Sequence, residues 1–125
     1  MNRLDRERGS AVVEAVIIVP AVMMFIALII AAGRVQMAHQ SVDAAAAEAA
    51  RAASIARTPA EAQTRATASG QQALDNQGLK CASTHVSVDT AGFAVPVGTP
   101  ATVSATVACQ VFLADLTPIP AMPGQ

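Results

Sequence analysis

Few side chains in this sequence are of a type that could do chemistry, and the closest to a catalytic set lie between residues 39 and 43. His39, Ser41 and Asp43 superficially resemble the parts of a hydrolase site. On a helix, however, His39 and Asp43 lie one turn apart while Ser41 points to another face. The first two could supply two metal ligands, but no third is evident, and His85 is isolated in a predicted strand. We therefore expect no catalytic residues, no metal site and no cofactor.

The remaining candidate is Glu14, because it lies at the start of an apolar run. It is followed by nineteen residues without a charge, from Ala15 to Gly33. As a helix, that run spans roughly 28 Å, close to the ~30 Å hydrocarbon core of a bilayer. A carboxylate in such a segment costs about 2–3 kcal/mol, and less near the interface. The run is therefore predicted to cross a membrane, and Glu14 needs either access to the interface or a specific role there.

The sequence around Glu14 resembles the processing site of a class III (type IV pilin-like) prepilin. In such a site a small residue precedes the cut and a glutamate is the fifth residue of the mature chain, and Gly9 and Glu14 have that spacing. Residues 8–20, from Arg8 to Pro20, resemble the opening of the TadE-like proteins, which are minor pilins or pseudopilins of the tight-adherence (Flp-type) pilus system. The clear resemblance covers about residues 9–51. An aromatic residue commonly follows the glutamate in this family, whereas this chain has Ala15. Because of this difference, we do not expect the chain to be the bulk, filament-forming subunit.

This resemblance implies a non-enzymatic role in assembling a Tad/Flp-type pilus, which serves adhesion and surface attachment. A membrane-bound prepilin peptidase would cut between Gly9 and Ser10. Glu14 would then neutralise the N-terminal amine of a neighbouring subunit and fix their register, since opposite charges attract strongly at low dielectric. Pro20 would kink the helix, because it removes a hydrogen bond and crowds an earlier carbonyl. The implied partners are the peptidase, other pilins or pseudopilins, the Tad inner-membrane platform and the lipid bilayer.

The charges that flank the apolar run predict its orientation. Three arginines precede the run, and after Arg34 no Lys or Arg occurs until Arg51. The positive-inside rule therefore places the N-terminus in the cytoplasm and the head outside the bacterial cytoplasmic membrane, from which the chain could enter the pilus. Cys81 and Cys109 both fall in that external part, and we predict a disulfide between them. The formal net charge of −1 argues against a nucleic-acid partner.

Two other interpretations of the N-terminus stay open. A secretory signal peptide would be cleaved after Ala31-Ala32-Gly33, although the apolar run exceeds the usual core of roughly 7–15 residues. Alternatively, Glu14 marks the cytoplasmic end of an ordinary anchor. The chain would then be an unprocessed single-pass membrane protein whose extracytoplasmic domain binds a ligand.

Beyond Gly33 the apolar spacing continues at three and four residues, which predicts that the helix extends into water. The stripe consists of Val35, Ala38, Val42, Ala45, Ala49, Ala52 and Ala56. Alanine buries little area but permits close helix contact, so the stripe suits packing on another subunit, on the chain's own head, or on both. Thr58 as N-cap, Pro59 in the first turn and Glu61 in a capping box predict a second helix, which ends near residues 76–78.

Alternating patterns at Thr84–Asp89 and Val103–Val111 predict two strands. With Val86 opposite Ala105, Ala82 rather than Cys81 would face Cys109, so the disulfide needs a bulge or an irregular strand start. The fold class is therefore α+β: a long N-terminal transmembrane helix extends into a second helix, followed by a small antiparallel β-hairpin head. The predicted segments are a leader (1–9), a transmembrane helix (10–33), an Ala-rich extension (34–57), a second helix (58–79), a disulfide-linked hairpin (80–117) and a Pro-rich tail (118–125).

Overall fold

The computed structural model describes residues 3–112, with side chains from Ala11 onward, so the predicted Pro-rich tail lies outside the described residues. The helices are α1 (Arg3–Ser54) and α2 (Pro59–Asn76), and the strands are β1 (Ser83–Asp89) and β2 (Ser104–Gln110). A short 3-10 helix, Ala91–Ala94, lies in the connection between the strands. The strands form a two-stranded antiparallel sheet. The predicted α+β class is confirmed.

Helix α1 joins two different parts of the molecule. It has 52 residues and is therefore roughly 78 Å long. Its most apolar window has a mean hydropathy of 2.9 and is not buried by the rest of the chain, so α1 is long and apolar enough to cross a membrane. Its C-terminal part packs against α2 and β2 and forms the spine of the head.

The head is held together by small side chains on two helices. Ala45, Ala49 and Ala53 of α1 are completely buried, and the row on α2 is Ala62, Ala66, Gly70 and Leu74. Both rows advance by four residues, the spacing at which side chains lie on one face of a helix. The alanine stripe therefore packs on the chain's own head, one of the two predicted uses. Because the row advances strictly by four, Ala53 is fully buried rather than the predicted Ala52.

The sheet lies over this pair of helices through two valines. Val86 is opposite Val107, so the predicted register with Val86 opposite Ala105 is wrong. Both registers put the same side chains on the inner face, so alternation alone could not separate them. The space above Gly70 selects the observed register. A Cβ added at Gly70 would lie 3.4 Å from Val86 Cγ2 and 3.6 Å from Val107 Cγ2, so both valines pack at this position. The two valines thus meet where α2 has no side chain.

The start of α2 follows the predicted capping pattern with one difference. Thr58 is the N-cap, Pro59 is in the first turn, and the Glu61 backbone N–H donates to Thr58 Oγ1 at 3.2 Å. The Glu61 carboxylate accepts a hydrogen bond from the Arg57 backbone N–H at 3.1 Å, one residue earlier than in the usual capping box. It also forms an ion pair with Arg65, four residues later, at 2.7 Å. The Arg57 N–H and then the Arg65 guanidinium hold the pKa of Glu61 below its ordinary value, against an opposing effect of desolvation.

The end of α2 turns the chain toward the sheet. Gly78 has a φ of 70°, in the left-handed region that glycine adopts without strain. The N–H of Leu79 donates to Leu74 O at 3.1 Å and that of Gly78 to Asp75 O at 3.0 Å. These two bonds define a Schellman motif, and Leu79 packs on the core that contains Leu74. Helix α2 therefore ends close to Gly78, as the sequence predicts.

Substitutions at Gly70 test the contact between the helices and the sheet. Gly70→Ala adds a methyl at ordinary contact distance and gains up to about 1 kcal/mol of helix propensity, so the free energy of unfolding should be unchanged or higher. Gly70→Leu overfills the same space and should lower it by about 1–3 kcal/mol. Urea unfolding of the full chain in detergent micelles, followed by circular dichroism, measures both. Gly33→Leu is the control, since a Cβ there meets nothing within 4 Å. Wild-type stability in Gly70→Leu would contradict the packing.

Candidate functional site

The predicted processing site lies in the first turns of α1. Gly9 and Ser10 are within its helical backbone, and Glu14 follows Gly9 by five residues, roughly 7.5 Å along the axis. The Gly9–Ser10 bond therefore lies where a charged N-terminal sequence meets the apolar part of the helix. Cleavage at this bond stays a prediction.

Glu14 is exposed and stands among exposed apolar side chains. The neighbouring side chains Val12, Val13, Val16 and Ile17 are 63–68% exposed. Among the side chains of residues 11–112, none forms an ion pair or a hydrogen bond with the Glu14 carboxylate. A carboxylate in such surroundings requires a partner or access to water. Any counter-charge must therefore come from outside this part of the chain.

Helix α1 continues through Pro20 without interruption. Small side chains on the same side leave a shallow apolar hollow next to the proline, lined by Ala11, Val12, Ala15, Val16, Val19 and Pro20. Such a hollow allows close approach of a second helix. The kink assigned to Pro20 stays a prediction.

Cys81 and Cys109 form the predicted disulfide, with their Cα atoms 5.4 Å apart. The partner of Cys109 in the sheet is Thr84, so Cys81 lies before the paired region. The chain bends at Ala82, whose N–H donates to Gln110 O at 2.6 Å, and this bend brings Cys81 back over the end of β2. The start of β1 is thus irregular. The sequence required either a bulge or an irregular strand start for the disulfide to form, and the structure has the second. The bond ties the α2–β1 connection to the end of the sheet.

The side chains that resembled a hydrolase set do not form one. Ser41 Oγ donates to the Met37 carbonyl at 3.0 Å, one turn back along α1, and not to His39. Within the described part of the chain, no three His, Cys, Asp or Glu side chains come close enough to hold a metal ion.

One important polar residue, Gln63, was not identified from the sequence. Its Nε2 donates to Val86 O at 2.6 Å, and its Oε1 accepts from the Val88 N–H at 3.1 Å. A second contact of Nε2, to Thr67 Oγ1 at 3.3 Å, helps to orient the amide. The available signal was its position beside the buried Ala62 of α2, which places a long amide next to the core. Gln63 fastens α2 to the outer side of β1.

A long, unburied apolar helix that continues into the spine of a small α+β head fits a membrane-anchored protein of the pilin type. The family model of TadE-like proteins matches residues 9–51, which confirms the resemblance over that segment. The match begins at Gly9 and includes Glu14 and Pro20, so the similarity to the TadE-like family lies in about the first third of the chain. This family is associated with the Tad pilus and is not known for enzymatic activity. No curated protein and no solved structure matches the chain.

Loss of the disulfide should destabilise the head. The two cysteines are 28 residues apart, and closing such a loop gives on the order of 3–4 kcal/mol in the chain-entropy treatment. Cys81→Ser, Cys109→Ser and the double variant should therefore all lower the free energy of unfolding by similar amounts, measured by urea unfolding in micelles. Thiol labelling of the denatured, non-reduced protein should find no reactive thiol in the wild type. Two reactive thiols would show that the cysteines act only as small core residues.

Proposed function

We propose that this chain is a minor pilin or pseudopilin that takes part, without enzymatic activity, in assembling a Tad/Flp-type pilus for adhesion and surface attachment. The single observation that carries the proposal is the Gly9–Glu14 spacing at the start of the TadE-like segment. Two properties of the structure support it: α1 is unburied over its apolar part, and Glu14 has no partner among the described side chains.

The apolar part of α1 needs a medium other than water. Burying apolar surface stabilises by about 25 cal/mol per Å², and the side chains from Val12 to Ile30 are largely exposed in the isolated chain. Before assembly, a bilayer would bury these apolar side chains. In a filament, the helices of neighbouring subunits would bury them instead. The arginines near the N-terminus favour a cytoplasmic start, and the disulfide favours a head in an oxidising compartment.

After cleavage, each subunit would carry two opposite charges on one helix face. The new amine belongs to Ser10, and Ser10 and Glu14 are four residues apart, which puts them on the same side of α1. A neighbouring subunit that is shifted along its axis by that interval can pair its amine with Glu14. The attraction at low dielectric offsets the cost of the buried carboxylate and selects one axial register. Glu14 would thus act in assembly.

Pro20 and the hollow beside it would adapt α1 to its neighbours. Proline removes one backbone hydrogen bond, and membrane helices tolerate this through local adjustment and helix packing. A bend there, one to two turns after Glu14, would tilt the rest of α1 relative to the paired charges.

Processing at Gly9 tests the proposal directly. In cells with an active prepilin peptidase, mass spectrometry of the membrane fraction should find a chain that begins at Ser10. Gly9→Leu should leave the full-length chain, because the enzyme needs a small residue before the cut. Gly33→Leu should be processed normally, and it would block only a signal-peptidase cut after residue 33.

Two results would contradict the proposal. A full-length wild-type chain would favour the unprocessed, membrane-anchored binding module. A chain that begins at Arg34 would identify a secretory signal peptide.

Glu14→Ala tests the assigned role of the carboxylate. Membrane insertion should be unchanged or improved, because a charge is removed from an apolar segment. Piliation, counted by electron microscopy, and crosslinking to partner pilins should fall strongly. Glu48→Ala is the matched control on the same helix, since its 3.5 Å pair with Arg51 is exposed and such pairs contribute little. Normal pili in Glu14→Ala would show that the charge only marks the end of the membrane segment.

A further inference from the structure

Helix α2 carries the chain back toward the apolar part of α1. Gly70 lies against Ala49, since a Cβ added at Gly70 would be 3.6 Å from the Ala49 Cβ. Just past the end of α2, Gly78 lines a cavity together with Ala38, which lies eleven residues before Ala49 on α1. The two helices are therefore antiparallel, and the turn that ends α2 lies at the end of the head nearest to the apolar run.

The cavity at this end of the head has two positively charged side chains in its lining. Arg34 of α1 and Lys80 of the α2–β1 connection are 46 positions apart in sequence, and the return of α2 brings both to a cavity of about 240 Å³. No acidic side chain is among the described residues that line it. Asp75 lies beside Lys80 in the adjoining hollow, but within residues 11–112 Lys80 forms no ion pair. The cavity is therefore suited to an anion.

The remainder of the lining is largely apolar. Met37, Leu79 and Val111 contribute apolar side chains, and the Gln77 amide adds a neutral hydrogen-bond donor. A free inorganic anion would leave this apolar surface in water, whereas a phospholipid carries glycerol and acyl methylenes next to its phosphate that can cover it. At about 30 Å³ per water, the cavity has room for roughly eight waters, enough for a phosphate group and part of the glycerol.

The cavity lies at the depth where a bilayer has its phosphates. Arg34 is the first residue after the apolar run of residues 15–33. If that run fills the hydrocarbon core, the headgroup layer occupies about the next 5–8 Å. Arg34 is roughly 1.5 Å and Ala38 roughly 7.5 Å beyond Gly33 along the helix axis. The positive-inside rule disfavours an arginine at the outer end of such a segment, so Arg34 needs a specific reason to be there.

We propose that this cavity binds the headgroup of an anionic phospholipid, with Arg34 and Lys80 on the phosphate oxygens and Met37 and Leu79 against the glycerol. Basic pockets at the membrane surface bind lipid headgroups in this way, and the planar guanidinium of arginine matches two phosphate oxygens. An anionic headgroup is preferred to a zwitterionic one, because the ammonium group of the latter would be repelled by the two cations.

The bound lipid would hold the head against the bilayer surface at the end of α2. The inference rests on the membrane placement of α1 within the proposed function, and it depends neither on processing at Gly9 nor on piliation. It can therefore be tested on the uncleaved chain.

Native mass spectrometry of the full chain, released from non-ionic detergent micelles with added phosphatidylglycerol, measures the bound lipid. The wild type should retain one phosphatidylglycerol in preference to phosphatidylcholine. Lys80→Gln and Arg34→Gln should each weaken binding by about fivefold, the effect of one cation at an anionic lipid surface, and Arg34→Lys should keep most of the affinity. Arg51→Gln is the matched control, since Arg51 is exposed on the same helix and roughly 25 Å farther from the apolar run.

Lys80 is the only lysine of the chain, which allows a second measurement in a bilayer. Acetylation of its amine, read by peptide mass spectrometry, should be slower in nanodiscs that contain phosphatidylglycerol than in nanodiscs of phosphatidylcholine. Arg34→Gln should remove most of this protection, because the lipid loses its second cation. Arg51→Gln should leave the protection unchanged.

Three outcomes would overturn the lipid site. Equal retention of the two lipids, or equal retention by all variants, would show that the cations do not read the headgroup. Displacement of the lipid by excess inorganic phosphate would identify a site for a free anion. Protection of Lys80 that survives Arg34→Gln would reflect only the surface potential of the bilayer. A chain that does not stay in nanodiscs would instead contradict the membrane placement of α1, and with it the proposed function.

Discussion

The close packing of small side chains between α1 and α2 is the constraint on which the rest of the head depends. Ala45, Ala49 and Ala53 can be completely buried because three of the four residues in the facing row of α2 are alanine or glycine. At Gly70 the row has no side chain at all, and Val86 and Val107 occupy the space above it. The position of the helices, the place of the sheet on them and the strand register are therefore consequences of one contact.

A core of alanines has an energetic cost, because alanine buries little apolar area. Leu74 is the largest side chain in the core that is almost fully buried. The head compensates with local constraints, each at a point where the chain changes direction. Thr58 and Glu61 begin α2, the Schellman motif at Gly78 ends it, and the disulfide closes the start of the hairpin. Small domains need such constraints because their cores alone supply limited stability.

The sequence predicted the elements better than the contacts between them. Helix α1, the cap at Thr58, the stop at Gly78 and the disulfide follow from local signals that lie within a few residues of each other or from the simple count of two cysteines. The strand register could not be predicted, because a shift of two residues leaves the alternation unchanged, and the deciding partner is Gly70 of α2. Gln63 was missed for the same reason: its bonds to Val86 and Val88 join residues 23 and 25 positions apart in sequence. At the N-terminus, by contrast, the sequence is more informative than the structure. The Gly9–Glu14 pattern was recognised from the sequence and lies within the segment that the family model matches, while none of the side chains of residues 11–112 contacts the Glu14 carboxylate through an ion pair or hydrogen bond.

The continuity of α1 links the two ends of the molecule. Glu14 and Ala49 are 35 residues apart on one helix, which is roughly 52 Å and a little under ten turns. The face that carries Glu14 is therefore about a quarter turn from the face that carries the head. If the charge pair at Glu14 fixes the rotation and height of a subunit among its neighbours, the same helix transmits both to the head, because α1 continues from its apolar part into the spine of the head. Pro20 is the one residue between Glu14 and Ala49 that interrupts that series of bonds. Its location close to Glu14 confines any bend that it causes to the apolar part of α1, and the spine of the head stays straight enough to keep the alanine row against α2.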